Sequence, residues 1–134
     1  MKSSTAPTMH PGRYLCMSKK VDSGFIFVNL VDTDMKFGHR RDVMGYKQAL
    51  EEIDAWLTTL LPKLKDDDLL MITADHGCDP TYKGSDHTRE EVPILLYQKN
   101  RAGIDLGVRK GFWDIAATVA KHLGVEYANG EAMI

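Results

Sequence analysis

From Gly24 to Val31 the chain reads GFIFVNLV, an almost unbroken apolar run rich in aromatic and β-branched residues. Such a run suits a strand buried on both faces of a parallel sheet. Asp32 to Arg41 is polar and charged, contains Gly38, and is expected to be a loop. From Asp42 the period changes. Tyr46, Leu50, Ile53, Leu57, Leu60 or Leu61, and Leu64 recur at three and four residues, while Gln48, Glu51, Glu52 and Thr58 face away. This pattern predicts an amphipathic helix of about five turns, with Asp42 as its N-cap and Pro62 disturbing its last turn. Asp66-Asp67-Asp68 reads as a solvated turn before a second strand, Leu69–Ala74. Strand, helix and strand in succession form a βαβ unit with a right-handed crossover. Asp75 to Glu91 is a long polar loop, and long loops in compact domains tend to be functional. Val92 to Tyr97 is a third strand, with Pro93 suited to its beginning. Residues 98–110 form a charged connection with room for a short strand. A second helix is expected over Phe112–Leu123, with Asp114 in its first turn, Lys121 and His122 in its last, and Gly124 as its stop.

These elements predict an α/β fold, a mostly parallel sheet flanked by helices. The length fits one domain, able to bury roughly two-thirds of its unfolded-chain surface. Residues 1–23 read as a leader or connection, with Pro7 and the Pro11-Gly12 turn signal, and residues 24–134 as the body. Apolar content of 43% and charged content of 27% are those of an ordinary globular protein. A net charge of −2 lacks the electrostatic footprint of a nucleic-acid or anionic-membrane binder. No apolar run reaches the roughly 20 residues of a membrane span, and the N-terminus has no signal-peptide core. Cys16 and Cys78 show no disulfide-framework or zinc-finger spacing and read as free thiols in a reducing compartment. The expected location is the cytoplasm.

The chemistry gathers at the ends of the strands. Divalent ions of hard or borderline character take oxygen and imidazole ligands, and sites in open α/β sheets lie beyond the carboxyl ends of the strands. Asp34 and His39 follow the first expected strand, Asp75 and His76 follow the second directly, and His87 lies in the loop before the third. Three imidazoles and two carboxylates on one predicted edge form a candidate dinuclear metal site. Asp32 serves as well as Asp34 on spacing alone, and either could instead cap a turn. His10 and His122 read as bystanders, one in the leader and one at a helix end. Arg40, Arg41 and Arg89 flank the histidines and could bind phosphate or pair with Asp42 and Glu90.

The same residues carry a resemblance. NLVDTDMKFGHRRD (29–42) followed by TADHGCDPTYKGSDHTRE (73–90) resembles the phosphopentomutases of the alkaline phosphatase superfamily, and the likeness runs from about Asp22 to the C-terminus. It implies two Mn²⁺ ions, one held by Asp34, His39 and His87 and the other in part by Asp75 and His76, so it favours Asp34 over Asp32. It also implies interconversion of ribose or deoxyribose 1-phosphate with the 5-phosphate, through a metal-activated threonine primed by a sugar bisphosphate. Only the C-terminal part of an alkaline-phosphatase-like core domain is matched. The opening strand with its metal-binding Asp, the nucleophilic Thr and the inserted cap domain have no counterpart; Thr5 and Thr8 follow no hydrophobic strand ending in Asp. The chain is therefore expected to be a fragment inactive alone, with no identifiable catalytic nucleophile.

Two other readings compete. One is a metal-dependent phosphohydrolase of the same superfamily. The other is a non-catalytic metal-binding or assembly module, whose truncated sheet would expose edges and apolar surface that oligomerisation or a missing N-terminal half would cover.

Overall fold

The computed structural model describes residues 22–134. Most of the expected leader therefore lies outside the described residues, and Thr5, Thr8, His10 and Cys16 lie there with it. The described chain divides into two compact units. The first comprises the chain up to Lys65 together with Leu70–Leu96; the second comprises Asp66–Leu69 and Tyr97–Ile134.

In the first unit the expected long helix forms as α1, Val43–Leu60. Its start is written locally. The Asp42 side chain accepts a hydrogen bond from the Gly45 backbone N–H at 2.9 Å, satisfying one of the N–H groups that a helix start leaves unpaired. Pro62 turns the end into a short 3₁₀ segment, Leu61–Lys63. The buried apolar residues concentrate at that end, where Leu60 and Leu64 are almost fully covered. Leu50, expected on the buried face, is 49% exposed.

Two strands follow, β1 (Leu70–Thr73) and β2 (Ile94–Tyr97), paired in a two-stranded sheet. This corrects the expected sheet in two ways. The first predicted strand does not form: Gly24–Val31 has no ladder, and Phe25 and Phe27 are 45% and 57% exposed with their rings 6.4 Å apart. A strand takes its hydrogen bonds from a neighbour, and Gly24–Val31 pairs with neither β1 nor β2. The pairing is also antiparallel rather than parallel, as is the Gly77–Thr88 bridge beyond the strands. Parallel neighbours need a long crossover, usually helical, whereas β1 and β2 are joined by a loop that folds back on itself. The described residues thus form helices and one small two-stranded sheet. No short strand forms within 98–110.

The second unit is built on α2, Trp113–Leu123, which Gly124 closes in the left-handed conformation at φ 67°. Gly124 N–H donates to the Ala120 and Lys121 carbonyls, and Val125 N–H donates to Ala120 O at 2.9 Å, a Schellman-type stop. The C-terminal residues pack back onto this helix through two buried polar groups. Asp114 accepts from Glu131 N–H at 2.9 Å. Thr118, with no exposed surface, donates to Asp114 O at 2.6 Å and accepts from Met133 N–H at 3.0 Å. Thr118→Val keeps the shape but leaves the Met133 N–H without its acceptor. Chemical denaturation should show a loss of roughly 1–2 kcal/mol, the desolvation penalty of an orphaned donor; Thr118→Ser should retain most of it.

Candidate metal centre

Asp34 and His39 are five residues apart, and the backbone between them supplies that spacing. Thr33–Gly38 winds as a six-residue π-helical turn in place of the expected loop. The His39 N–H donates to Asp34 O at 3.1 Å, an i to i+5 bond that sets both side chains on one face; single π turns of this kind recur at functional sites. Gly38, at the end of the turn, is buried against the next loop. A Cβ there would lie 2.3 Å from Cys78 Sγ and 3.1 Å from Thr33 O, so close approach requires glycine.

His87 reaches the same point from the loop between β1 and β2. The Asp34 carboxylate faces both imidazoles, with His39 Nε2 at 3.4 Å from Oδ2 and His87 Nε2 at 3.4 Å from Oδ1. The two Nε2 atoms are 3.2 Å apart, and one ligand atom from each of the three residues lies within 4.8 Å of the others. Asp32 instead pairs with Lys36 at 2.7 Å.

The chemistry of these donors fits a divalent cation. Asp34 Oδ1 is buried and has no hydrogen-bond partner among the described residues, a state that is costly for a carboxylate unless something positive reaches it. His39 Nδ1 lies 2.5 Å from Ser85 O. A carbonyl can only accept, so Nδ1 carries the proton, and in the neutral ring this leaves the lone pair on Nε2, which faces Asp34 and His87. Fixing the tautomer through the far nitrogen is the usual support of a metal-binding histidine.

Asp75 and His76 lie alongside. The His76 ring stacks on His87 at 3.6 Å between centroids and 20° between planes. His76 Nδ1 is 3.1 Å from Gly77 O, and its Nε2 is 3.6 Å from Asp75 Oδ1. This pair belongs to no group of three ligand residues among those described. Of the arginines singled out earlier, Arg40 and Arg89 are exposed. Arg41 is turned onto the backbone, its guanidinium donating to the carbonyls of Gly84, of Asp79 at 2.8 Å and of Asp86 at 2.6 Å.

Several residues that support the site were not singled out by sequence reasoning. Thr88, almost fully buried, accepts from Asp79 N–H at 2.6 Å and donates to the Glu90 carboxylate. Its N–H donates to Gly77 O at 3.1 Å, closing the base of the loop. Asp79 begins an Asx turn. The Thr81 hydroxyl and backbone N–H, at 2.7 and 2.8 Å from Oδ1, hold its carboxyl below the usual range. Burial pushes the Cys78 thiol up, and the Asp34 carboxylate that accepts its hydrogen bond adds to the effect. Burial likewise raises Tyr46, with Cys78 and Asp34 contributing. The placing of Thr88 and Glu90 inside the DHTRE motif was the signal in the sequence; their work as loop fasteners is not visible there.

Residues 12–127 match the metalloenzyme superfamily. The chain is 56% identical over 116 residues to a phosphopentomutase of Alkaliphilus metalliredigens (strain QYMF), covering 85% of this chain and 30% of that protein. It is 50% identical over 122 residues to one of Anaeromyxobacter sp. (strain K), covering 91% and 31%, and 57% identical over 101 residues to one of Hahella chejuensis, covering 75% and 24%. The chain thus spans about 30% of the length of the first of these curated relatives.

Proposed function

The chain belongs to the metalloenzyme superfamily, and we propose that it supplies the metal-binding C-terminal portion of a phosphopentomutase, interconverting ribose or deoxyribose 1-phosphate and 5-phosphate. The observation that carries the metal half of this reading is the Asp34 carboxylate facing two imidazole nitrogens, with one of its oxygens buried and unbonded among the described residues. Similarity to phosphopentomutases over most of the chain carries the reaction class.

On this reading Asp34, His39 and His87 hold one Mn²⁺ ion, and Asp75 and His76 hold part of the coordination of a second. When bound, such a pair of ions neutralises a transferring phosphoryl group and activates an oxygen nucleophile. The residues of this chain provide charge and orientation. Asp34 brings the negative charge and two oxygens. Ser85 O keeps the His39 lone pair aimed inward, and stacking against His76 fixes the plane of His87. Arg40 and Arg89, both exposed and one or two residues along the chain from His39 and His87, are the residues we assign to the substrate phosphate. The phosphoryl-accepting threonine, a further metal-binding carboxylate and the sugar-selecting part come from outside the described residues, as does the sugar bisphosphate that primes the cycle. No helix among the described residues is long and apolar enough to cross a membrane. We place the protein in the cytoplasm, a reducing compartment that suits two cysteines without disulfide-framework spacing.

The test is turnover of ribose 1-phosphate with Mn²⁺ and a sugar bisphosphate. The chain alone should give none. Adding the separately produced N-terminal remainder of a close phosphopentomutase should restore turnover that Asp75→Ala abolishes. Turnover by the chain alone would overturn the division of labour. Mn²⁺-dependent phosphomonoester hydrolysis by the chain alone, lost in His76→Ala, would favour a phosphohydrolase.

A further inference from the structure

The loop from Asp79 to His87 delivers two things to the centre, the His87 ring and the Ser85 carbonyl that orients His39. Its base is closed by the Gly77–Thr88 bridge and by Thr88 Oγ1 on Asp79 N–H. Beyond that base it is exposed from Thr81 to His87, and Gly84 sits at φ +103° with nothing within 4 Å of where a Cβ would be. A glycine-bearing loop of this kind has little packing of its own to hold it in one shape.

One side chain spans it. Arg41 donates from all three guanidinium nitrogens, Nε to Gly84 O, one terminal nitrogen to Asp79 O and the other to Asp86 O. The three carbonyls come from the start, the tip and the end of the loop. The fork of a guanidinium can meet three acceptors in one plane, which an ammonium cannot. Arg41 itself sits at φ 54°, in the left-handed region that a non-glycine residue rarely occupies. In that conformation its N–H donates to Gly38 O at 3.0 Å, at the end of the π turn that carries Asp34 and His39. Arg41 thus ties the segment holding one pair of candidate ligands to the loop holding the third.

We propose that Arg41 is a positioning residue of the first metal site, and not a phosphate ligand: it locks the Asp79–His87 loop so that Ser85 O and His87 meet His39 before any ion arrives. The inference rests on the metal-site reading above. Through Arg41 the site is preorganised, so binding need not order the loop.

Mn²⁺ titration by calorimetry and ¹H–¹⁵N spectra of the histidine rings test this together, on the full chain and its Arg41→Lys, Arg41→Ala and Lys47→Ala variants. Arg41→Lys keeps the charge and loses the fork. It should raise the Mn²⁺ dissociation constant about tenfold, and Arg41→Ala between about ten- and a hundredfold, the range for residues supporting metal ligands from outside. Lys47→Ala should leave it unchanged. In the metal-free protein the His39 ring should be the Nδ1–H tautomer, and should revert to a mixture in Arg41→Lys. A folded Arg41→Lys protein with unchanged Mn²⁺ affinity and an unchanged His39 tautomer overturns the proposal. So does a variant that loses only its affinity for inorganic phosphate. If Arg41→Ala fails to fold, Arg41→Lys decides. If the wild-type chain binds no Mn²⁺, the metal reading fails by itself, and the His39 tautomer still decides whether Arg41 positions the loop.

Discussion

Asp34→Ala should reverse the ranking of stabilities when Mn²⁺ is added. With the ion at about a hundred times its dissociation constant, binding to the folded state alone stabilises the wild-type chain by about 2.7 kcal/mol. For a chain of this size that raises the unfolding temperature by roughly 5–15 °C. Asp34 is the one carboxylate of the three-residue group and faces both Nε2 atoms. Removing it should leave no measurable Mn²⁺-dependent shift. Without metal the expectation changes sign. The wild-type protein holds a carboxylate oxygen that is buried and unbonded among the described residues, so its removal relieves a desolvation penalty, and metal-free Asp34→Ala should be at least as stable as wild type. A purely structural Asp34 would lose stability equally with and without the ion. Thermal unfolding of both proteins with Mn²⁺ and with chelator separates the two, and an unaltered Mn²⁺ shift in Asp34→Ala would remove Asp34 from the ligand set.

What the sequence revealed depended on whether the forces involved were local. Helix α1 was readable because its period, its Asp42 cap and its proline stop all lie within its own residues. The Gly124 stop of α2 was readable for the same reason. The strand expected at Gly24–Val31 was not, because an apolar run states only what a segment could bury. Whether it joins a ladder depends on another segment's edge, and here Gly24–Val31 pairs with neither β1 nor β2 and leaves Phe25 and Phe27 exposed. The π turn escaped because one added residue in a turn leaves no mark on hydrophobic periodicity, yet it is the i to i+5 bond that sets Asp34 beneath His39. Residue types, and for Asp75 and His76 their position after a strand, pointed to the site. The groups that tune it, Ser85 O on His39 and Arg41 on three carbonyls, act through backbone atoms that every residue possesses, so no residue identity announces them.

Gly77→Ala should unfold the chain more readily than any other single-methyl addition on this loop, and should loosen the metal site with it. A Cβ at this position would lie 2.4 Å from Glu90 Oε2, 2.7 Å from Glu90 N and 2.8 Å from Thr88 O. The carboxylate could swing away, but the other two atoms are backbone. They are held in place because Thr88 N–H donates to Gly77 O, and Thr88 Oγ1 joins Asp79 N–H to the Glu90 carboxylate. To make room the antiparallel bridge must open. The expected loss is about 3 kcal/mol, the upper part of the range for overpacking a tight site. His76 precedes Gly77 and His87 precedes Thr88, so opening the bridge also separates the stacked rings that now lie 3.6 Å apart. Mn²⁺ affinity should fall by at least about tenfold, as when the support of a metal ligand is lost. Gly103→Ala is the matched control, since nothing lies within 4 Å of its Cβ position. There the added methyl restricts mainly the unfolded chain, and stability should hold or rise by up to about 1 kcal/mol. Urea midpoints for the two variants decide the matter: equal midpoints would mean that the bridge yields to a methyl group at little cost and does not hold His76 against His87.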